Sequence, residues 1–541
     1  MKKITAFFLA LLIALQIPLT NASSAGVAVA ESAFADRNII LPREDTVIPG
    51  GLSGGEDINV KYADGAIQGS ETKKYTFTAG AVDHNKCGSR YGYDDLSNRS
   101  NSSGRKRLYE DMLAAALSFY ADSSDVTLTV ATEGKQYLYI ASFDFALLGL
   151  TSDEALETWI VFRNDNPLYY WISNTVTVSD TLIYLTVSEE YKQGTVREAL
   201  NAKIEAALAV YEALTKNLTT DFEKALAVHD KICEETTYAS DALGNPSSET
   251  WAHNIIGVFD NKKAVCEGYA KAYQLILSYI GVDNIFVTGK TGSENHTWNM
   301  VKLDDGAWHF VDVTWDDTSV SPDYAHFYFA MGKDKFNETH TANTPEKTKL
   351  DFLYALPEAS AETFAPVKLY VNGTYSALCK NIAAALALVN NKSAEYRLKL
   401  SSYANDYVIA AGTLPEAKSI CFAGNFYDKS DEGEGKFYVD KIYIGSEVIC
   451  SGDVCFENAE VTFYDSLISS ATLNIKVATL TLSGSFCSLY AHINGSTGSA
   501  LDISVSGLAH LYGDIKADEI IMGKAGCSLF STVCDVPVLT F

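Results

Sequence analysis

After about residue 365 this chain is built from one short pattern that keeps returning. The tetrad x-[Ile/Val/Leu]-x-[Ile/Phe/Leu/Met] appears as "SICF", "KIYI", "EVTF", "TLTL", "ALDI" and "EIIM". Its first apolar members are Ile420, Ile442, Val461, Leu480, Leu501 and Ile520, at intervals of 22, 19, 19, 21 and 19 residues. A near-constant period of short strands predicts a stacked β-solenoid, because each rung is too small to bury its own apolar face and rests on its neighbours. A β-sandwich would place its strands closer together, at about 8–12 residues. If the tetrads form one inward row, the residues two places on (Phe422, Ile444, Phe463, Leu482, Ile503 and Met522) share that face. "AALALVNNKSAEYRLKL", ahead of the first tetrad, supplies a capping helix and strand.

The rest of the chain reads differently. At 541 residues it is too long for one ordinary core. Lys2 and Lys3 precede an apolar run from Ile4 to Leu19, and Ala28-Val29-Ala30 offers a cleavage site. Residues 1–30 therefore read as a secretory signal, with no second long apolar stretch to anchor the mature chain in a membrane. The expected location is secreted or at a bacterial cell surface. Residues 31–70, rich in Gly, Asp and Pro, read as a linker and entry segment. A mixed α/β extension is expected over 71–200. It has a helix in "LYEDMLAAALSFY" (108–120) and strands in "VTLTVA" (126–131) and "TLIYLTV" (181–187). Two helices follow between 194 and 233, the second opened by a capping box from Thr220 to Glu223. The solenoid is assigned to 366–541.

Charge narrows the partners. The net charge is -26, and it becomes -28 without residues 1–30, which carry two lysines and no acid. So acidic a surface excludes nucleic acid and anionic membrane as main partners. Ten cysteines are spread widely, with no CxxC pair. We expect them to be mostly reduced, with Cys450–Cys455 and Cys527–Cys534 spaced closely enough to bridge.

One cysteine stands out. "KKAVCEGYAKAYQLILSYIGV" (262–282) begins a helical spacing at Cys266 and ends at Gly281, where a left-handed cap belongs. A thiol at a helix N-terminus has its thiolate favoured. The plain alternative is a small buried hydrophobe. Thirty residues on, His296 starts the alternating run "HTWNMVKL", and Asp312 falls inside the next, "AWHFVDVTW". Between the runs stands Asp304-Asp305-Gly306. A two-residue turn would put His296 and Asp312 on opposite faces of the hairpin. A three-residue loop with Gly306 left-handed pairs residues whose numbers sum to 610, and sets Asp312 opposite Trp298, diagonally beside His296.

"AVCEGYAKAY", "HTWNMVKL" and "WHFVDVTWDD" resemble the three signature blocks of the transglutaminase-like superfamily, with support upstream from "LAVHDKICEETTYA". The resemblance covers about 225–330 and implies an α+β papain-like core, assigned here to 201–345. It implies Cys266 as nucleophile, His296 as its proton-transfer partner and Asp312 as the orienting carboxylate. The Cys266 backbone N–H is one oxyanion donor, and a side chain upstream of the cysteine is the family's second, with no residue assigned here. The implied activity is acyl transfer or hydrolysis at peptide amides, as a protease or a protein cross-linker. The substrate would be a peptide or protein, cell-wall peptide among the candidates. The competing reading is an adhesion or scaffold protein that presents the solenoid beside a non-catalytic module.

No cofactor is called for. Asp316 and Asp317 read as a turn or helix cap, and "TWDDT" lacks the further carboxylates of a calcium loop. His229 reads as a core or surface histidine and His309 as structural. Trp298 and Trp315 read as walls of the core or cleft. "DNPLYYWI" (165–172) reads equally well as an aromatic groove lining or a buried proline-led strand.

Overall fold

The computed structural model describes residues 59–63, 86–317, 326–343 and 355–400, then strands and short connections between 406 and 540. The expected signal at 1–30 lies outside the described residues. Of the expected linker, Asn59–Tyr62 (β1) is a strand, not an irregular entry segment. It pairs in parallel with Thr175–Val178 (β4). With Thr129–Thr132 (β2), Lys135–Asp144 (β3) and Leu182–Thr186 (β5) it makes a five-stranded sheet in the order β1-β4-β5-β3-β2.

Helix α1 (Ser102–Tyr120) and helix α2 (Ser152–Asp165) pack beside this sheet. Helix α2 is opened by a capping box in which Thr151 and Glu154 serve each other's backbone N–H groups. Helix α3 (Gly194–Thr215) runs through residue 200, where the sequence suggested a domain boundary. Buried side chains from Cys87 to Phe364 form a single continuous core across that point.

Helix α4 (Asp221–Glu235) begins with the expected Thr220–Glu223 box. Thr237–Tyr238 (β6) pairs in parallel with Lys263–Ala264 (β7), which leads directly into α5 (Cys266–Tyr279). Gly281 follows α5 with φ +81°. The next sheet runs β10-β9-β8-β11, from Asn284–Thr291 (β8), Glu294–Lys302 (β9), Trp308–Val311 (β10) and His340–Ala342 (β11). Helix α5 packs on β8 and β9.

From Val367 on, a second core forms. Strand Glu395–Leu400 pairs in parallel with Ser419–Ala423, which pairs with the first part of Asp453–Phe463. The series continues through Thr479–Tyr490, Ala500–Tyr512, Glu519–Met522 and Val538–Thr540. A second series joins Asp406–Ile409, Phe437–Ile444, the later parts of the three long strands, and Gly526–Phe530. A third runs from Gly412–Thr413 through Glu447–Cys450 to Cys534–Asp535.

The single row expected of the six tetrads is therefore two rows. Ile420 aligns with Val454, Leu480, Leu501 and Ile520. Ile442 aligns instead with Val461, Leu489, Leu511 and Leu529. Both series carry the same apolar alternation in their sequence, so the tetrad marks a strand without saying which series it joins. Cys455 is a thiol beside Ser483 Oγ at 3.4 Å, so the Cys450–Cys455 bridge does not form. The side chains of Cys527 and Cys534 lie outside the described residues.

Candidate active site

Two local devices bring three side chains together. The first is the start of α5. Val265, in extended conformation, is the residue before the helix, so Cys266 occupies the first helical position with its backbone N–H unused by the helix ladder. Gly268, still in the first turn, lets the helix end press close to neighbouring backbone. A Cβ there would meet the Ala252 carbonyl at 2.5 Å.

The second device is the β9–β10 hairpin. Its pairs, Trp308↔Lys302 through Val311↔Asn299, are those of the three-residue loop, and Gly306 takes φ +77°. Strand β10, however, stops at Val311. Asp312 is not inside a strand but caps the short helix α6 (Val313–Asp316), its Oδ1 accepting from the Thr314 N–H (3.0 Å) and the Trp315 N–H (3.1 Å). The turn out of the strand leaves Oδ2 aimed at His296, whose Nε2 lies 2.5 Å away.

His296 in turn hydrogen-bonds the Cys266 sulfur. All three side chains are enclosed, and Cys266 shows 0% exposure. Burial alone would raise the thiol pKa, but the His296 charge and its hydrogen bond, with the Thr297 backbone N–H, outweigh burial and hold it below the ordinary value. Burial pulls the imidazole down, yet Asp312 and Cys266 raise it to about 10. Asp312 is held well below the usual carboxylate range, the two histidines beside it overcoming its desolvation. These directions favour proton transfer from the thiol to an imidazole that the carboxylate supports. Burial pushes the Cys233 and Cys379 thiols the other way.

A fourth residue, His340 on β11, was not marked by any sequence motif. Its Nε2 donates to the same Asp312 Oδ2 at 3.1 Å, and its Nδ1 lies 2.8 Å from Thr339 Oγ1. Burial holds the ring pKa below its ordinary value. Phe336 stacks on it at 4.0 Å, and Trp315 tilts against it at 4.6 Å. Trp298 and Trp315 stand 5.9 and 5.7 Å from the His296 ring, the walls expected of them.

Tyr238 is the second residue that sequence reasoning missed. It sits on β6 opposite Ala264, two residues before the cysteine. Its hydroxyl is buried with no hydrogen-bond partner among the described residues. Burial first, then the nearby Cys266 and Asp312 charges, push the phenol pKa far up, so it remains a donor.

The other candidates fall out as follows. His309 Nε2 donates to Asp305 Oδ2 at 3.0 Å, a contact within the hairpin. Asp317 binds the Tyr269 hydroxyl, and Asp316 accepts from the Tyr328 N–H at 2.8 Å, so both acids hold the fold around α6. His229 is a buried partner of Asp316. The "DNPLYYWI" segment is buried and also borders a cleft. Tyr169 and Tyr170 share its lining with Arg163, His253 and Lys271, whose side-chain nitrogens surround Glu267, the residue after the cysteine.

Residues 208–313 match the family model of the transglutaminase-like superfamily, a span that contains Cys266, His296 and Asp312. That segment is a transglutaminase-like domain within a mixed α+β protein. Among solved structures the chain is similar to one described as a TGase, with 21% identity and a TM-score of 0.19 over 25% of this chain and 40% of that one. It is also similar to a putative cysteine protease from Cytophaga hutchinsonii, with 16% identity and a TM-score of 0.18 over 25% and 51%. The periplasmic domain of TgpA from Pseudomonas aeruginosa, bound to ethylmercury, gives 16% and 0.18 over 26% and 57%. The matches thus span between 40% and 57% of those chains. No curated protein matches.

Proposed function

We propose that this protein is an exported cysteine-dependent enzyme that opens peptide amide bonds through an acyl-enzyme, with Cys266 as nucleophile. The observation that carries this reading is the enclosed Cys266–His296–Asp312 chain, in which the thiol is made more acidic and the imidazole more basic. The thiolate attacks the amide carbonyl, and the tetrahedral oxyanion takes hydrogen bonds from the Cys266 N–H and the Tyr238 hydroxyl. His296 then passes its proton to the departing amine, and afterwards takes one from the incoming water or amine as the thioester breaks. Asp312 keeps the imidazole oriented and balances its charge throughout.

Whether water or an amine accepts the acyl group depends on access to the thioester, which the triad itself does not govern. A peptide or protein substrate, cell-wall peptide included, fits an export signal and an acidic surface. We also infer that the three parallel series of C-terminal strands are the faces of a β-solenoid that follows the unit whose core runs from Cys87 to Phe364. Their separate core supports this division.

The test uses the full chain with casein or a wall peptide, following release of new amines in one arm and incorporation of a labelled primary amine in the other. Activity in either arm that is abolished in Cys266→Ala supports the proposal. Undiminished activity in that variant refutes it. No activity in either arm, together with Cys266 inert to iodoacetamide, would favour the adhesion reading.

A further inference from the structure

We propose that His229, Asp230 and His326 form a binding site for a divalent transition-metal ion of the zinc class, sharing no ligand with the triad. The argument starts at the middle of α4. The His229 side chain is fully buried, and each of its ring nitrogens faces a carboxylate: Nδ1 lies 3.0 Å from Asp230 Oδ1, and Nε2 lies 3.1 Å from Asp316 Oδ2. His326, nearly a hundred residues further along, brings its Nε2 to within 2.6 Å of the same Asp230 oxygen. Three potential ligand atoms thus meet at one point, all within 4.8 Å of one another.

The two carboxylates call for a positive charge there, supplied by a second ring proton on His229 or by a metal ion. A neutral imidazole carries one N–H and can satisfy only one of two carboxylates. With a metal on Nδ1, the single proton sits on Nε2 and donates to Asp316. That is the carboxylate–histidine–metal arrangement by which proteins orient a ligating imidazole. Asp316 is itself fixed by the Tyr328 N–H at 2.8 Å, so this outer partner is rigid. A divalent ion would also balance the two carboxylates.

The donor set points to the class of ion. Two imidazoles and one carboxylate suit zinc, with a fourth position left for water, whereas calcium and magnesium take oxygen ligands. Bonds of about 2.0 Å in a tetrahedron separate ligand atoms by about 3.3 Å. The 2.6 Å contact between Asp230 and His326 must therefore open modestly. Asp230 can yield, because its side chain is 43% exposed, and the same exposure gives the ion its way in. The other grouping of this kind among the described residues, His296, Asp312 and His340, takes in two members of the triad and is fully enclosed.

A metal here would tie α4 to the segment at His326. Through Asp316 it would also hold α6, the short helix that Asp312 caps. The site is thus placed to fasten the platform of the triad carboxylate without touching the reacting groups.

The test is a zinc titration of the full chain, freed of metal by dialysis against a chelator, in competition with a chromophoric chelator. It is run in the Cys266→Ala background, so that no triad thiolate can bind the ion. We expect one tight equivalent. Asp316→Asn, which spares the ligands, should weaken it by about ten- to a hundredfold, and Asp230→Asn by at least that factor. Asp230→Asn is isosteric and half-exposed, so circular dichroism should show it folded. The thermal midpoint of the background protein should rise with zinc, and that of Asp230→Asn should not. Cobalt bound in the wild-type chain should show four-coordinate visible bands without sulfur-to-metal charge transfer. Binding that is unchanged in Asp230→Asn, lost in Cys266→Ala, or absent from the folded background protein would overturn the proposal.

Discussion

Replacing Asp312 by Asn is the sharpest probe of the triad, because the structure gives this carboxylate four hydrogen bonds and no spare oxygen. Oδ1 caps α6 through two backbone N–H groups, while Oδ2 accepts from His296 at 2.5 Å and His340 at 3.1 Å. All four partners are donors. Asn has one acceptor and one donor at these positions, so its oxygen can serve one side only. If the oxygen caps the helix, the amide NH2 faces the two histidine N–H groups. His296 must then give up its Nε2 proton and with it the imidazolium that pairs the Cys266 thiolate. If the oxygen turns to the histidines, the cap is lost, at a cost of about 1 kcal/mol to stability.

Losing one charge-assisted hydrogen bond in the transition state is worth about 1.5–3 kcal/mol, or roughly one to two decades in rate. The tautomer conflict adds to that, and a comparable exchange in a serine protease triad costs about 10⁴. We therefore expect kcat/KM of Asp312→Asn to fall by about 10²–10⁴, with KM little changed and the protein folded. His296→Ala should fall to the uncatalysed background. The assay is hydrolysis or aminolysis of a chromogenic peptide amide, with the thiolate followed by its ultraviolet absorbance. An Asp312→Asn variant that keeps activity within a few-fold of wild type, and keeps its thiolate, would refute the claim that the carboxylate charge maintains the ion pair.

Five further outcomes follow from the structure. Tyr238→Phe removes a hydroxyl with no partner to orphan, so stability should hold while kcat drops by about 10²–10³, the usual effect of one oxyanion donor; an unchanged kcat would rule out this role. His340→Phe preserves the stack on Phe336 but takes a donor from Asp312, and should lower kcat about tenfold while moving the basic limb of the pH profile upward. Since the Cys266 pKa is lowered and that of His296 raised to about 10, iodoacetamide labelling of Cys266 should fall less than about tenfold from pH 8 to 6, where an ordinary thiol falls about a hundredfold. The His296 contribution to stability has the sign of a raised pKa, fully present below its unfolded value and lost as pH rises through about 10. Finally, because one core closes at Phe364 and another opens at Val367, residues 1–365 should fold and keep activity on a small soluble peptide; a truncation that cannot fold would join the C-terminal strands to the catalytic unit.

What could be read from the residues alone follows how locally each feature is encoded. The Cys266 helix was legible because its spacing, its short apolar entry and its closing glycine all lie within one stretch of about twenty residues. The hairpin register was legible because "DDG" admits a left-handed glycine, and that single residue decides which faces of β9 and β10 meet. Asp312 was placed one step wrong for an equally local reason. An Asp followed by Val-Thr-Trp has an alternation that suits a strand, but its carboxylate can bond the backbone N–H groups two and three residues on. That cap ends the strand and turns Oδ2 toward His296. Helix α2 was overlooked although Thr151 and Glu154 spell a capping box, the same signal that located α4.

His340 and Tyr238 belong to another category. Each reaches the site through pairing with a distant strand, β8 for one and β7 for the other, and neither pairing has a trace in the local sequence. The two-row arrangement of the C-terminal tetrads is the same problem repeated. Alternation fixes which side chains share a face of a strand, but only the turns between strands fix which face of the stack that strand occupies. Ile442 and Ile420 carry the same tetrad and stand in different rows for that reason. The chemistry of this molecule was therefore legible where it depends on a helix start and a hairpin, and hidden where it depends on which strands meet.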